Sequence, residues 1–302
     1  MKIARDRGRL AAVLVAAVVV GGCTGQPKPP VPEPAAPKAG EPTAAATKAV
    51  APDRAKGDEI LKAMSTLLAE TQNFTFATDE VHKRSGANGQ PVERKFSREL
   101  AVRRPDAVWF RSQGDREGQV WYADKKLTVV SDKNKTWAQA EVPATLDEAM
   151  DDIAARFDIL MPMADLLYSS PWDAYMSAES TGGWMGVETI GGKQCHHIAY
   201  SQPVVDWELW IAEGAEALPC RLAIVYKNEP GPPRSDILFR DWNRAANSPA
   251  DRFVAAIPQG YERIDIVERV PASEDASADT SASVPAAPAA TATVTPTEPS
   301  QK

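Results

Sequence analysis

The sequence predicts an α+β fold built on one large antiparallel sheet, and three observations carry that prediction. Short runs rich in β-branched and aromatic residues, broken by turn chemistry, fill residues 74–142 and return over 185–267. Helical periodicity marks residues 58–71 and the stretch between those two strand-rich regions. No glycine-rich nucleotide loop and no parallel βαβ spacing occurs anywhere in the chain.

Taken in order, Ile60, Leu61, Met64, Leu67 and Leu68 form one apolar helical stripe. The strands that follow are separated by residues 86–89 (Gly-Ala-Asn-Gly), 104–106 (Arg-Pro-Asp), 114–118, the pair Asp124-Lys125 and residues 132–134, which predicts five or six strands in a meander. Thr145 then opens a helix as N-cap, with Glu148 completing a capping box and Ala149, Ile153 and Phe157 on the apolar face. Two shorter helical pieces are expected, over 163–168 and after Ser170-Pro171. The second meander reads as strands over 185–190, 194–201, 206–212, 221–227 and 235–241, with a last one near 261–267.

Both faces of this sheet are apolar. Val108, Phe110, Val120 and Tyr122 share one parity, as do Trp207, Leu209 and Ile211, so Trp109, Trp121 and Trp210 fall on the other face. A sheet solvated on one side would be polar there. Either helices cover both faces, or one concave face lines an apolar cavity; in the second case Trp109, Trp121 and Trp210 are its candidate lining.

The two ends of the chain read differently from this core. Residues 1–9 carry Lys2, Arg5, Arg7 and Arg9 against Asp6, residues 10–20 are apolar, and Gly21-Gly22 precede Cys23, the pattern of a secretory signal over residues 1–22. The apolar run is well short of the ~20 residues that cross a bilayer. The segment Val20-Gly21-Gly22-Cys23 resembles the lipobox of bacterial lipoproteins, which implies lipidation of Cys23 and attachment to a membrane through that lipid. Thr24 is not the aspartate that retains lipoproteins at an inner membrane, so the expected location is the periplasmic face of the outer membrane. Residues 23–52, with eight prolines and no aromatic residue, read as a semi-rigid tether, and residues 271–302 as a disordered tail. Residues 53–270 hold all eight tryptophans and form the predicted domain. The whole chain carries a net charge of −7, and loss of the signal makes it −10. Without basic clusters such a chain is a poor nucleic-acid binder, because phosphate neutralisation dominates that affinity.

Little in the sequence points to catalysis, a metal or a cofactor. Only three histidines occur; His196 and His197 are adjacent on a predicted strand and therefore point to opposite faces, and His82 stands alone. Asp206 with Glu208, and Asp151, Asp152 and Asp158, read as solvated faces, while Asp206 and Asp241 precede tryptophans at strand ends. Cys195 and Cys220 are the two thiols besides Cys23, and an oxidising envelope favours pairing them. Mid-sheet, with a strand between, their Cα atoms would be about two ~4.8 Å spacings apart, beyond the ~7 Å reach of a disulfide. Both lie at the same end of the meander, where the middle strand could already have stopped, so both arrangements stay open.

Several segments resemble one family. Cys195-His196-His197, then residues 206–211 (Asp-Trp-Glu-Leu-Trp-Ile), Leu218-Pro219, Tyr226-Lys227 and Asp241-Trp242-Asn243 carry the resemblance. Tyr122-Ala123-Asp124, the helix from Thr145 and Leu166-Leu167-Tyr168 fit the same pattern. The family is one of predicted periplasmic bacterial proteins of unassigned function, with a fold similar to the LolA/LolB-like periplasmic lipoprotein carriers. That resemblance implies a half-barrel, a curved sheet with helices on its concave side and an apolar interior. The function expected is non-enzymatic binding of an apolar ligand such as a lipid or lipoprotein acyl chain. The alternative is a protein-interaction or envelope-stress sensor module with a packed interior, and a hydrolase ranks third.

Overall fold

The computed structural model describes residues 51–86, 88–157, 161–229 and 231–266; the signal, Cys23, the tether up to residue 50, Asp158 and the tail lie outside them. Helix α1, Arg54–Glu70, starts where the Asp53 carboxylate accepts the Lys56 amide, and buries Leu61, Met64 and Leu68. Six strands follow: β1 (Asn73–Ser85), β2 (Pro91–Arg103), β3 (Ala107–Gly114), β4 (Gly118–Ala123), β5 (Lys126–Ser131) and β6 (Thr136–Glu141). Asp124 and Lys125 both take positive φ (51° and 59°), the conformation a two-residue hairpin turn needs between β4 and β5.

Helix α2, Leu146–Phe157, begins at Thr145, whose Oγ1 accepts the Glu148 amide at 3.4 Å. A 3-10 turn, Ala164–Leu166, and α3, Pro171–Tyr175, complete the helical stretch, α3 being capped by Ser170. The second meander is β7 (Thr181–Ile190), β8 (Lys193–Ser201), β9 (Val205–Ala212), β10 (Pro219–Tyr226) and β11 (Arg234–Asn243). The last strand, β12, is shorter than expected, Glu262–Arg263, and pairs with β6 in parallel.

All twelve strands form one sheet in the order β12-β6-β5-β4-β3-β2-β1-β11-β10-β9-β8-β7. The long β1 therefore sits mid-sheet and joins the two meanders, antiparallel to both β2 and β11. A single main core collects inward residues from both meanders, among them Phe74, Leu100, Tyr122, Trp207 and Ile224, against the apolar sides of α1, α2 and α3. The three α-helices among the described residues lie on this concave side, as a half-barrel requires. The sheet margins are short-capped: Asp53 exchanges both backbone hydrogen bonds with Trp184 of β7 (3.0 and 2.8 Å), and Ile264 donates to Trp137 of β6 (2.8 Å). Close approach of α1 to β7 needs glycine, because a Cβ on Gly57 would stand 2.7 Å from the Trp184 nitrogen.

Candidate functional site: an apolar pocket with an arginine rim

Between β3–β5 and α2 the core leaves a pocket of about 280 Å³. Its floor follows from strand alternation, which turns Val108 and Phe110 of β3, Val120 and Tyr122 of β4, and Leu127 and Val129 of β5 inward. Met150 and Ile153 from the apolar stripe of α2, with Met161 and Ala164, roof it. The α2 end is fixed to the strands, since the Leu146 amide donates to the Pro105 carbonyl (2.8 Å) and Arg156 donates to the Glu141 carbonyl (2.9 Å). Arg104 ties the following loop down by donating to the carbonyls of Leu167 (2.6 Å) and Leu166 (3.4 Å).

The lining changes character along β3. Val108 and Phe110 are apolar, but Ser112, next on the same face, adjoins Arg98, Arg116 and Glu117 at the β3–β4 turn. Arg98 is fully buried and ion-paired: its Nη1 donates to both Glu80 carboxylate oxygens (2.8 and 2.9 Å), and its Nε donates to Ser112 Oγ (3.2 Å). Glu80 also accepts from Thr78 (2.8 Å) and touches the His82 ring nitrogen (2.8 Å), whose other nitrogen meets Ser235 Oγ (2.9 Å). Burial alone would raise the Glu80 pKa; the Arg98 charge, with the contacts from His82 and Thr78, overrides it and holds the carboxyl below its ordinary value.

Arg116 stands exposed at the rim and has no ion-pair partner among the described residues. Partial desolvation, then the like charge of Arg94, lowers its pKa, with Glu80 opposing and Arg84 adding to the shift. The charged pair on the core face is absent from the expectations above. Its signal lies in the strand parity: Phe96, Leu100 and Val102 share the face of Arg98, and Phe74 and Phe76 share that of Glu80.

The residues expected to line a cavity lie elsewhere. Trp109 and Trp121 face the convex side, where Ala101, Ala107, Val130 and Phe253 bury them. Their cover is the chain after β11, where the 3-10 turn Ala250–Phe253 packs on β3 and β4, with Arg252 4.5 Å over the Trp109 ring and Tyr261 alongside. Trp210 also faces outward: His197 stacks on it at 4.3 Å, Arg221 lies 4.6 Å from its ring centre, and its indole donates to Glu188 (3.0 Å). The assignment of Trp109, Trp121 and Trp210 to the interior is therefore corrected. Alternation made them share a face, but the inner face went to the opposite parity.

Cys195 and Cys220 stand beside Trp210, joined as a disulfide with Cα atoms 6.8 Å apart. They meet at the end of β9, where Cys195 pairs with Ala212 and a register shift between Pro219 and Arg221 displaces Cys220. His196 and His197 do point to opposite faces; His197 lies between Glu188 (3.0 Å) and Glu208 (2.9 Å). Among the described residues no group of three metal-ligating side chains converges.

Fold and site define an α+β half-barrel with an apolar pocket on its concave side. The chain belongs to the family described as predicted periplasmic protein, DUF2092, which matches residues 57–267. Its structure is similar to that of an uncharacterized conserved protein from Thermus thermophilus, at 10% identity and TM-score 0.41 over 68% of this chain and 97% of that one. A LolA superfamily protein from Nitrosomonas europaea is similar at 9% identity and TM-score 0.36, covering 66% of this chain and 98% of that one. The MucA/MucB complex of Pseudomonas aeruginosa contains a similar chain at 13% identity and TM-score 0.39, covering 66% of this chain and 61% of that one. Among curated proteins, none matches this chain.

Proposed function

We propose that this chain is a lipid-anchored, periplasm-facing, non-enzymatic binding protein whose pocket holds one apolar chain, such as the acyl chain of a lipid or lipoprotein. The observation that carries the reading is the pocket itself, floored by aliphatic and aromatic strand residues and roofed by two methionines. Its volume of about 280 Å³ lies near the lower end of ligand cavities, ~300–1,000 Å³, which favours a single chain over several. Burial gains roughly 0.8 kcal/mol per methylene, so eight methylenes supply about 6 kcal/mol before ordering is charged against them. Attachment through Cys23, with the outer membrane favoured, would leave residues 23–52 as the tether from which the domain works.

Binding of a neutral naphthylamine dye to the full chain carrying Cys23→Ser tests the pocket. Saturable binding displaced by dodecanol is expected, and Val129→Phe, which places a ring in the pocket, should weaken it at least tenfold. Absence of saturable binding would sink the carrier reading in favour of the interaction or sensor module. Fatty-acid labelling of the native chain, absent in Cys23→Ser, tests the anchor; label persisting on the variant defeats it.

A further inference from the structure

The pocket ends in a concentration of positive charge that the overall composition does not announce. The chain is acidic, with a net charge of −7. Yet at the β3–β4 turn Arg98 and Arg116 line one end of the pocket, and Arg94 shares the inner face of β2 with Phe96 and Arg98. Arg84 lies near enough to Arg116 to perturb its titration, as Arg94 does more strongly. Three carboxylates accompany these four guanidinium groups, of which Asp115, directly before Arg116, accepts the Lys95 amide (2.7 Å). Glu80 is already occupied by Arg98, Thr78 and His82. Glu117 sits beside Arg116 on the rim and is exposed.

Arg98 spends Nε on Ser112 and Nη1 on Glu80, and none of these bonds uses its Nη2. Arg116 has no ion-pair partner there either. Guanidinium groups gathered at the mouth of an apolar cavity are arranged for a planar or tetrahedral oxyanion, which they bind through paired N–H donors. Such a group lies where the apolar lining stops, so the end of a chain buried between Val108 and Val129 would meet it directly.

We propose that the rim formed by Arg94, Arg98 and Arg116 binds the anionic head, carboxylate or phosphate monoester, of a single-chain amphiphile whose tail lies in the pocket. This rests on the pocket reading above and adds the chemistry of the head. The head supplies the counter-charge that Glu80, Asp115 and Glu117 do not complete. The tail supplies the affinity. Selectivity between chains of equal length then resides in the arginines.

The experiment compares dodecyl phosphate and dodecanoate below their micellar concentrations, dodecanol below its solubility limit, and inorganic phosphate on the full chain carrying Cys23→Ser, by displacement of the neutral dye and by calorimetry. Dodecyl phosphate and dodecanoate should bind at least tenfold more tightly than dodecanol. Raising salt from about 0.1 M to 1 M, which shortens the screening length from ~10 Å to ~3 Å, should erode that preference and leave dodecanol unchanged. The exposed pair Arg94→Gln and Arg116→Gln should bring the acidic and neutral amphiphiles within about twofold, with the thermal transition still in place. Equal affinity for all three amphiphiles would overturn the head-binding proposal while leaving the pocket reading intact. Binding of none would overturn both. Inorganic phosphate binding as tightly as dodecyl phosphate would also overturn it, by showing an anion site independent of the pocket.

Discussion

The two halves of the concave side solve the same packing problem in opposite ways. Over β8–β11 rings pack closely under α1 and α3: Trp207 lies 4.7 Å from Tyr200 and 4.9 Å from Tyr175. Buried polar anchors fix them, Gln202 donating to the Tyr175 carbonyl (2.7 Å) and to Ser180 (2.8 Å). Over β3–β5 the lining is aliphatic, the roof includes flexible methionines, and a pocket remains. Rigid aromatic packing in one half gives the sheet a fixed frame, so the other half can leave volume open without collapse. The seam between them is the Glu80–Arg98 pair on the central strands β1 and β2.

That contrast can be broken or sharpened by mutation. The largest effect is expected at the seam. Glu80→Gln leaves Arg98 buried without its carboxylate and should lower unfolding free energy by about 3–5 kcal/mol. The sign of the pH dependence follows from the depressed Glu80 pKa: its contribution is complete above the ordinary carboxylate value and is lost as pH falls through the folded value. The native chain should therefore show an acid limb that Glu80→Gln flattens; identical limbs in urea titrations would remove Glu80 from the account. Trp207→Ala, in the filled half, should cost a similar ~3–5 kcal/mol because rigid neighbours cannot close the hole.

Opening the Cys195–Cys220 bridge, which spans a separation of 25 residues, should cost about 3.5 kcal/mol on the loop-closure scale. A melting point unchanged by Cys220→Ser would show that the bridge contributes nothing. In the open half, Ile153→Val should fall at the low end of the usual range of ~0.5–1.5 kcal/mol, because the lost methyl borders space that is already empty. A loss there as large as that of Trp207→Ala would erase the contrast between the halves. Removal of residues before 53 and after 270 should have the smallest effect, leaving the cooperative thermal transition in place; its disappearance would mean that a flank packs on the domain.

Much of this architecture was legible because turns and periodicity are local. Ser170-Pro171, Thr145 with Glu148, and Asp124-Lys125 each determine a cap or a turn through neighbours in the chain. Helix α1 starts earlier than its apolar stripe suggests, because Asp53 rather than residue 58 provides the cap. The site was less legible. A period of two says which residues share a face but not which face turns inward, and here both were apolar. The choice is made by distant segments: α2 takes the parity of Val108 and Phe110, and Phe253 covers Trp109 and Trp121. Arg98 and Glu80 each sit between apolar residues of the same parity, and only their pairing across β1 and β2 accounts for burial. The register shift that displaces Cys220 begins at Pro219, whose missing amide cannot donate to the ladder, but that proline alone does not say that the bulge brings Cys220 to Cys195.

The capped sheet margins bear on how such a protein behaves at high density on a surface. An open sheet exposes two rows of unpaired amides and carbonyls, which can recruit the margin of a neighbouring molecule. Here Asp53 occupies the middle of β7, and the last described residues lie along β6. If the proposed lipid anchor holds, tethered copies would meet each other far more often than molecules free in solution, and self-association would be the hazard these two small contacts oppose. The chain entering the domain guards one margin and the chain leaving it guards the other, which makes the ends of the domain part of its defence against polymerisation.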